Sequence, residues 1–127
     1  MQARVLSTIF CDDARKEISG KDILIGVYSG RINVPAYPTI IAGTLWIEID
    51  TPELGLLAGS LRVTIPSRNP LIEVEFSISI VDPSTGVVVV GGLPMSLEHD
   101  GDIVFALRLE DGPYEEVRRV AVSRAPA

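Results

Sequence analysis

Cysteine is almost missing from this chain. Cys11 is the only one, so no disulfide can form within it and nothing asks for an oxidising compartment. Histidine is as scarce: with His99 alone, any triad would have to join Cys11 to His99 and a carboxylate. Long apolar runs are lacking too, and none approaches the ~20 residues of a spanning helix. The opening MQARVLSTIFCDD has only a short, Ser/Thr-interrupted apolar run and no small-residue cleavage pattern, so a soluble, cytoplasmic protein is expected. Basic residues are few. Eleven Lys and Arg stand against 17 Asp and Glu, a net charge of −6, and they are scattered. Nucleic acid and anionic membrane both need clustered cations, so neither is expected as a partner. Arg118 and Arg119 are adjacent, but a strand sends neighbours to opposite faces.

The short motifs that carry chemistry are also wanting. There is no phosphate loop, no glycine fingerprint between strand and helix, no paired-cysteine spacing and no nucleophile elbow. No catalytic residue, metal or cofactor is assigned.

What the chain does have is an apolar period of two, nearly from end to end. At 127 residues it fits one domain able to bury roughly two thirds of its unfolded surface. Strands are predicted over about 3–10, 22–28, 31–34, 44–50, 61–65, 72–80, 87–90, 103–110 and 114–123. Turn residues separate them, among them Ser29-Gly30, a loop with Pro52 and Gly55, Pro66 to Pro70, Asp82 to Gly86, Glu98 to Asp102 and Asp111 to Pro113. Ile23 to Tyr28 is a continuous apolar run and reads as a central strand. Residues 72–80 have the cleanest alternation, which predicts Phe76 and Ile78 deep in the core. Leu54, Leu56 and Leu57 are expected to fold back over the core edge, and the tail Ala125 to Ala127 to fray. The whole predicts an all-β antiparallel sandwich of eight or nine strands, immunoglobulin-like or C2-like, with an open barrel as the alternative. At most one short helical turn is expected, after Asp12 or Asp13, ended by Gly20.

The chain is organised around residues 10–28. Cys11-Asp12-Asp13-Ala14-Arg15, Glu17, Gly20-Lys21, Leu24 to Tyr28 and Pro35 to Pro38 together resemble a family of small bacterial proteins classed only as a domain of unknown function. The likeness covers about the first forty residues. It implies a compact bacterial domain and no particular chemistry.

In an antiparallel succession, turns alternate between the two ends of a sandwich. Segments 11–21, 35–42, 66–70 and 98–102 then share one end, which would collect Cys11, Asp12, Asp13, Glu17, Tyr37, Arg68, Asn69, His99 and Asp100. Of these Cys11, Asp12, Asp13, Tyr37, Arg68 and His99 are the candidate ligand-binding residues. The simpler reading is favoured: Asp12 and Asp13 as caps or turn formers, His99 as a solvated turn residue, Cys11 as a small buried hydrophobe. A second candidate is an outward apolar surface of Trp46, Val81, Val88 and Val90, suited to another protein or a second copy of the chain. The function expected is therefore a non-catalytic, self-associating interaction or structural module. The alternative is a ligand-binding or enzymatic domain using the end that gathers Cys11, Asp13 and His99.

Overall fold

The alternating apolar residues meet across the space between two sheets. The computed structural model describes residues 3–51, 53–82 and 84–126, and turn residues Pro52 and Pro83 and tail residue Ala127 lie outside that set. Among the described residues there are nine strands and no helix: β1 (Arg4–Lys16), β2 (Asp22–Val27), β3 (Arg31–Val34), β4 (Thr39–Thr51), β5 (Gly55–Thr64), β6 (Leu71–Ile80), β7 (Ser84–Leu97), β8 (Gly101–Leu109) and β9 (Glu115–Arg124). One sheet has the order β2-β1-β4-β7 and the other β3-β9-β8-β5-β6. All pairs are antiparallel except β3 with β9, which is parallel.

This is the immunoglobulin-type arrangement. β1-β4-β7 take the places of strands A, B and E, and β9-β8-β5-β6 those of G, F, C and C′. The inter-sheet disulfide of antibody domains has no counterpart, because the chain has one cysteine. Packing replaces it. Leu45, Ile47 and Ile49 of β4 face Leu61 and Val63 of β5, Ile103 and Phe105 of β8 and Val120 of β9, all fully buried. At the centre Phe10 stacks on Tyr28 and tilts against Phe105, with both centroid distances 4.9 Å.

Several expectations need correction. β6 is an edge strand, so Phe76 and Ile78 are half-buried: strict alternation shows that one face is covered, not that both sides are paired. β2 is likewise an edge strand and not a central one, with Ile23, Ile25 and Val27 exposed. β7 does not end at Gly91-Gly92 but continues to Leu97, where Pro94 is accommodated because β7 has a free edge. Of the three loop leucines only Leu57 joins the core. The adjacent arginines do part: Arg119 pairs with Glu116 and Asp102 on the outer side, while Arg118 donates to the Thr8 carbonyl across the gap between β9 and β1.

The stretch after Phe10 differs most. No helical turn forms, and β1 stays extended through Asp12 and Asp13 to Lys16. The connection to β2 is the turn 17–21, closed by the Glu17 N–H on the Lys21 carbonyl at 2.8 Å. Gly20 adopts φ 94° there, a left-handed conformation open to glycine at little cost. β1 pairs with β4 only up to Cys11, opposite Thr44, and beyond it with β2 alone. Residues 12–27 therefore form a two-stranded arm.

The arm is bent. Asp22 pairs with Lys16 near the arm's tip, whereas Trp46 lies opposite Ile9, in the other direction from Cys11. In a straight hairpin those two levels would be roughly 23 Å apart at ~3.3 Å per residue. Yet the Trp46 indole N–H donates to Asp22 Oδ2 at 3.1 Å, and Thr44 Oγ1 donates to the Asp12 carbonyl at 3.2 Å. The arm thus folds over the outer side of β4.

Candidate functional site

The end of the sandwich carrying the 98–100 turn holds a polar cluster. Tyr37, in the connection from β3 to β4, donates to Asp100 Oδ1 at 2.6 Å, and the Arg124 backbone N–H reaches the same oxygen at 3.1 Å. The Tyr37 hydroxyl is pushed up to about 12, first by burial and then by the bond to Asp100, while Tyr37 and Arg124 hold the Asp100 carboxyl below its usual range. Next to it Glu98 accepts three bonds, from Ser67 Oγ at 2.5 Å, the Arg68 N–H at 2.8 Å and Arg68 Nε at 3.2 Å. These lower its pKa, the Ser67 bond foremost. His99 is exposed, with Nδ1 2.8 Å from the Asp100 carbonyl.

The structure thus brings Tyr37, Arg68 and His99 to one end, as the alternation of turns predicts. It also adds Glu98, Ser67 and Arg124, which sequence reasoning passed over. Glu98 stood in the flagged turn, but its partners could be found only by knowing that 66–68 lies beside it. Chemically the cluster is committed. Each carboxylate is occupied by donors: Glu98 ties loop 98–100 to loop 66–70, and Asp100 ties it to the β3–β4 connection and to the end of β9, which is structural work.

Cys11, Asp12 and Asp13 do not join this end. Cys11 is fully buried opposite Thr44, whereas His99 lies just past Leu97, which pairs with Thr39. Five positions of β4 separate those levels, ~16 Å along a strand. Burial, and then the neighbouring Asp12 and Asp13 carboxylates, push the Cys11 thiol pKa up, away from the thiolate a nucleophile requires. Asp12 accepts from the Tyr28 hydroxyl at 2.6 Å, and Tyr28 is pushed up to about 12 by burial and that bond. Asp13 accepts from the Ala14 N–H at 2.9 Å and Arg15 Nε at 3.0 Å, with Arg15 the main cause of its lowered pKa. So Asp13 does take a backbone N–H, as expected, but within a strand and not at a helix cap.

Five carboxylates (Asp13, Asp22, Glu98, Asp100 and Glu116) have folded-state pKa values below their unfolded ones. Each contributes stability that is present above its unfolded pKa and is lost as pH falls through the lower folded value. The urea midpoint should therefore be level between about pH 7 and 5.5 and decline below about pH 4.5, where Glu and then Asp begin to protonate. Glu98→Gln should make that decline shallower. An equal slope in wild type and variant would remove Glu98 from the account.

The proposed outward surface is rearranged by the register of β7. Trp46 pairs with Val89, which puts Val87 and Val89 outside and Val88 and Val90 inside, at 6% and 8% exposure. Val88 and Val90 are thus core residues. Val81 is exposed, but it follows β6 in the other sheet and cannot share a patch with Trp46. What does stand outside on the first sheet is a row of Ile9, Trp46 and Val89, and on the arm Ile23, Ile25 and Val27, at 43%, 41% and 56% exposure. Ile18, at the arm's tip, is fully exposed. Sequence reasoning missed the arm because it read β2 as internal.

Among the described residues no group of three or more His, Cys, Asp or Glu side chains is arranged to hold a metal ion, and no helix is long and apolar enough to cross a membrane. No family model matches the chain, and a search of curated proteins finds no match to it.

Proposed function

We propose that the protein is a non-catalytic interaction module that associates with a second copy of itself through the β2 edge of the bent arm. The observation that supports this reading is the run Ile23, Ile25 and Val27, apolar side chains exposed on a strand whose outer edge has no partner among the described residues. Such an edge is a ready template for another strand, and soluble proteins ordinarily blunt it with charge or proline. Here the exposed alternate positions of β2 carry isoleucine and valine instead. A strand edge is also its own complement: an antiparallel β2–β2 pair about a two-fold axis needs no second surface. A reducing, cytoplasmic setting belongs to the same proposal, supported by a single buried thiol. So does membership of the bacterial family that residues 10–38 resemble.

Light scattering over a concentration series tests the association. The wild-type mass should rise to that of a dimer, and Ile25→Lys should restore the monomer. Each half-exposed isoleucine stands to lose about 1–1.5 kcal/mol of burial, so about 2–3 kcal/mol for the two copies, roughly 30- to 150-fold in Kd. Monomers at every concentration for both proteins would end the self-association reading.

A further inference from the structure

At the end of the sandwich opposite the Tyr37–Asp100 cluster there is an open cavity of about 430 Å³. Three connections build it: residues 53–54 before β5, the end of β6 at Ile80, and the turn 110–112 after β8. Apolar side chains share its lining with polar groups. Leu57 is buried at 6%, Ile80 and Leu109 are half-buried, and Leu54 and Leu56 stand beside them at 65% and 76% exposure. Leaving that much leucine surface in water is unfavourable unless something covers it.

The rim gives the occupant its charge. Glu110 and Asp111 line the cavity, together with Glu53, which has interactions of its own. Among the described residues no Lys, Arg or His lines it. Glu110 is held in place by the Ala58 strand: its N–H donates to the Ala58 carbonyl at 2.9 Å, and Ala58 N–H reaches its Oε1 at 3.4 Å. Apolar side chains beside an anionic rim repel carboxylates and phosphates and complement a cation with a hydrocarbon body.

We infer that this cavity binds a primary alkylammonium group, its methylenes on Leu57, Ile80 and Leu109 and its ammonium at Glu110 and Asp111. The group comes either from a free amine or from the lysine side chain of a peptide. The inference is independent of association through β2, since the cavity lies between β4–β5, β6 and β8–β9 connections that do not include the arm.

The test is methyl-resolved NMR on the full chain, titrated with hexylammonium, hexanol and hexanoate. Hexylammonium should shift the Leu57, Ile80 and Leu109 methyl signals at millimolar concentration and bind at least 10-fold more tightly than hexanol, with hexanoate not binding. The affinity should fall about 10-fold in Glu110→Gln/Asp111→Asn. It should fall also in Leu56→Arg, which brings a competing cation to the mouth from an exposed position that folding does not need. Nα-acetyl-lysine methylamide identifies the source. Binding equal to hexylammonium assigns a peptide lysine, and binding by the free amine alone assigns a small molecule. The monomeric Ile25→Lys protein should bind unchanged. No shift at these methyls, or equal binding of the neutral and cationic probes, overturns the inference.

Discussion

Replacing Phe10 by alanine should destabilise the protein by about 3–5 kcal/mol, read as a fall in the urea midpoint at unchanged slope. The reason is where the ring sits. Phe10 belongs to β1 in the first sheet and is fully buried, yet its ring lies 4.9 Å from that of Phe105, in β8 of the second sheet. Tyr28 also stacks on it, at the same distance, and brings the end of the arm with it. Truncation would leave a cavity bounded by three elements that are fixed elsewhere, so little collapse can offset the loss. Phe76→Ala should cost clearly less, because Phe76 is half-buried on an edge strand. A Phe10→Ala loss under about 1 kcal/mol would mean that the sheets pack without it.

Adding a single methyl to Gly43 should also be destabilising, by about 1–3 kcal/mol, for the opposite reason. Gly43 is buried in β4 and lies under the Phe10 ring, where a Cβ would come within 2.4 Å of Phe10 Cε1 and Cζ. The ring has nowhere to move, held as it is by Tyr28 and Phe105. This makes the effect separable from backbone propensity: Gly43→Ala in a Phe10→Leu background should cost markedly less than in the wild type. The difference is a coupling energy between neighbours, measured by a double-mutant cycle on denaturant midpoints. If the two changes are additive, the close contact is not what excludes a side chain at Gly43.

How much of this was legible beforehand depends on what periodicity can carry. Leu45, Ile47 and Ile49, and likewise Ile103, Phe105 and Leu107, recur at every second position, and each does face the core. Alternation identifies a covered face but is silent about which strands lie alongside. Hence the best-patterned strand, β6, and the most continuous apolar one, β2, both turned out to be edges. The valine run 87–90 has no alternation at all, and only its pairing with Trp46 decides which two valines turn inward. Asp12, Asp13, Arg15 and Lys16 looked like loop residues because four charges in five positions leave no apolar alternation to mark a strand. In the two-stranded arm these charges are met by Tyr28, Arg15 and Asp22 or by water, and are no barrier to extended structure. The polar cluster was half visible, since the alternation of turns puts Tyr37, Arg68 and His99 together, but its organising carboxylate, Glu98, is defined by contacts with a segment thirty residues away. The same alternation sends segments 51–59, 82–86 and 111–113 to the opposite end, but that they leave a cavity there depends on how the connections pack, which periodicity does not carry.

The link between the first strand and the last has a consequence in time. Thr8 Oγ1 donates to the Val117 carbonyl at 2.8 Å, from 109 positions away, and among the described residues β3 pairs in its sheet with β9 alone. Neither contact can form until the final strand has been made. At ~5–20 residues per second, translation from β1 to β9 takes roughly 5–20 s. For that interval β1 has no cover from β9, and β3 has no neighbour. The nascent chain must therefore carry unsatisfied strand edges throughout its synthesis, so its period of greatest exposure to mispairing ends only as β9 docks.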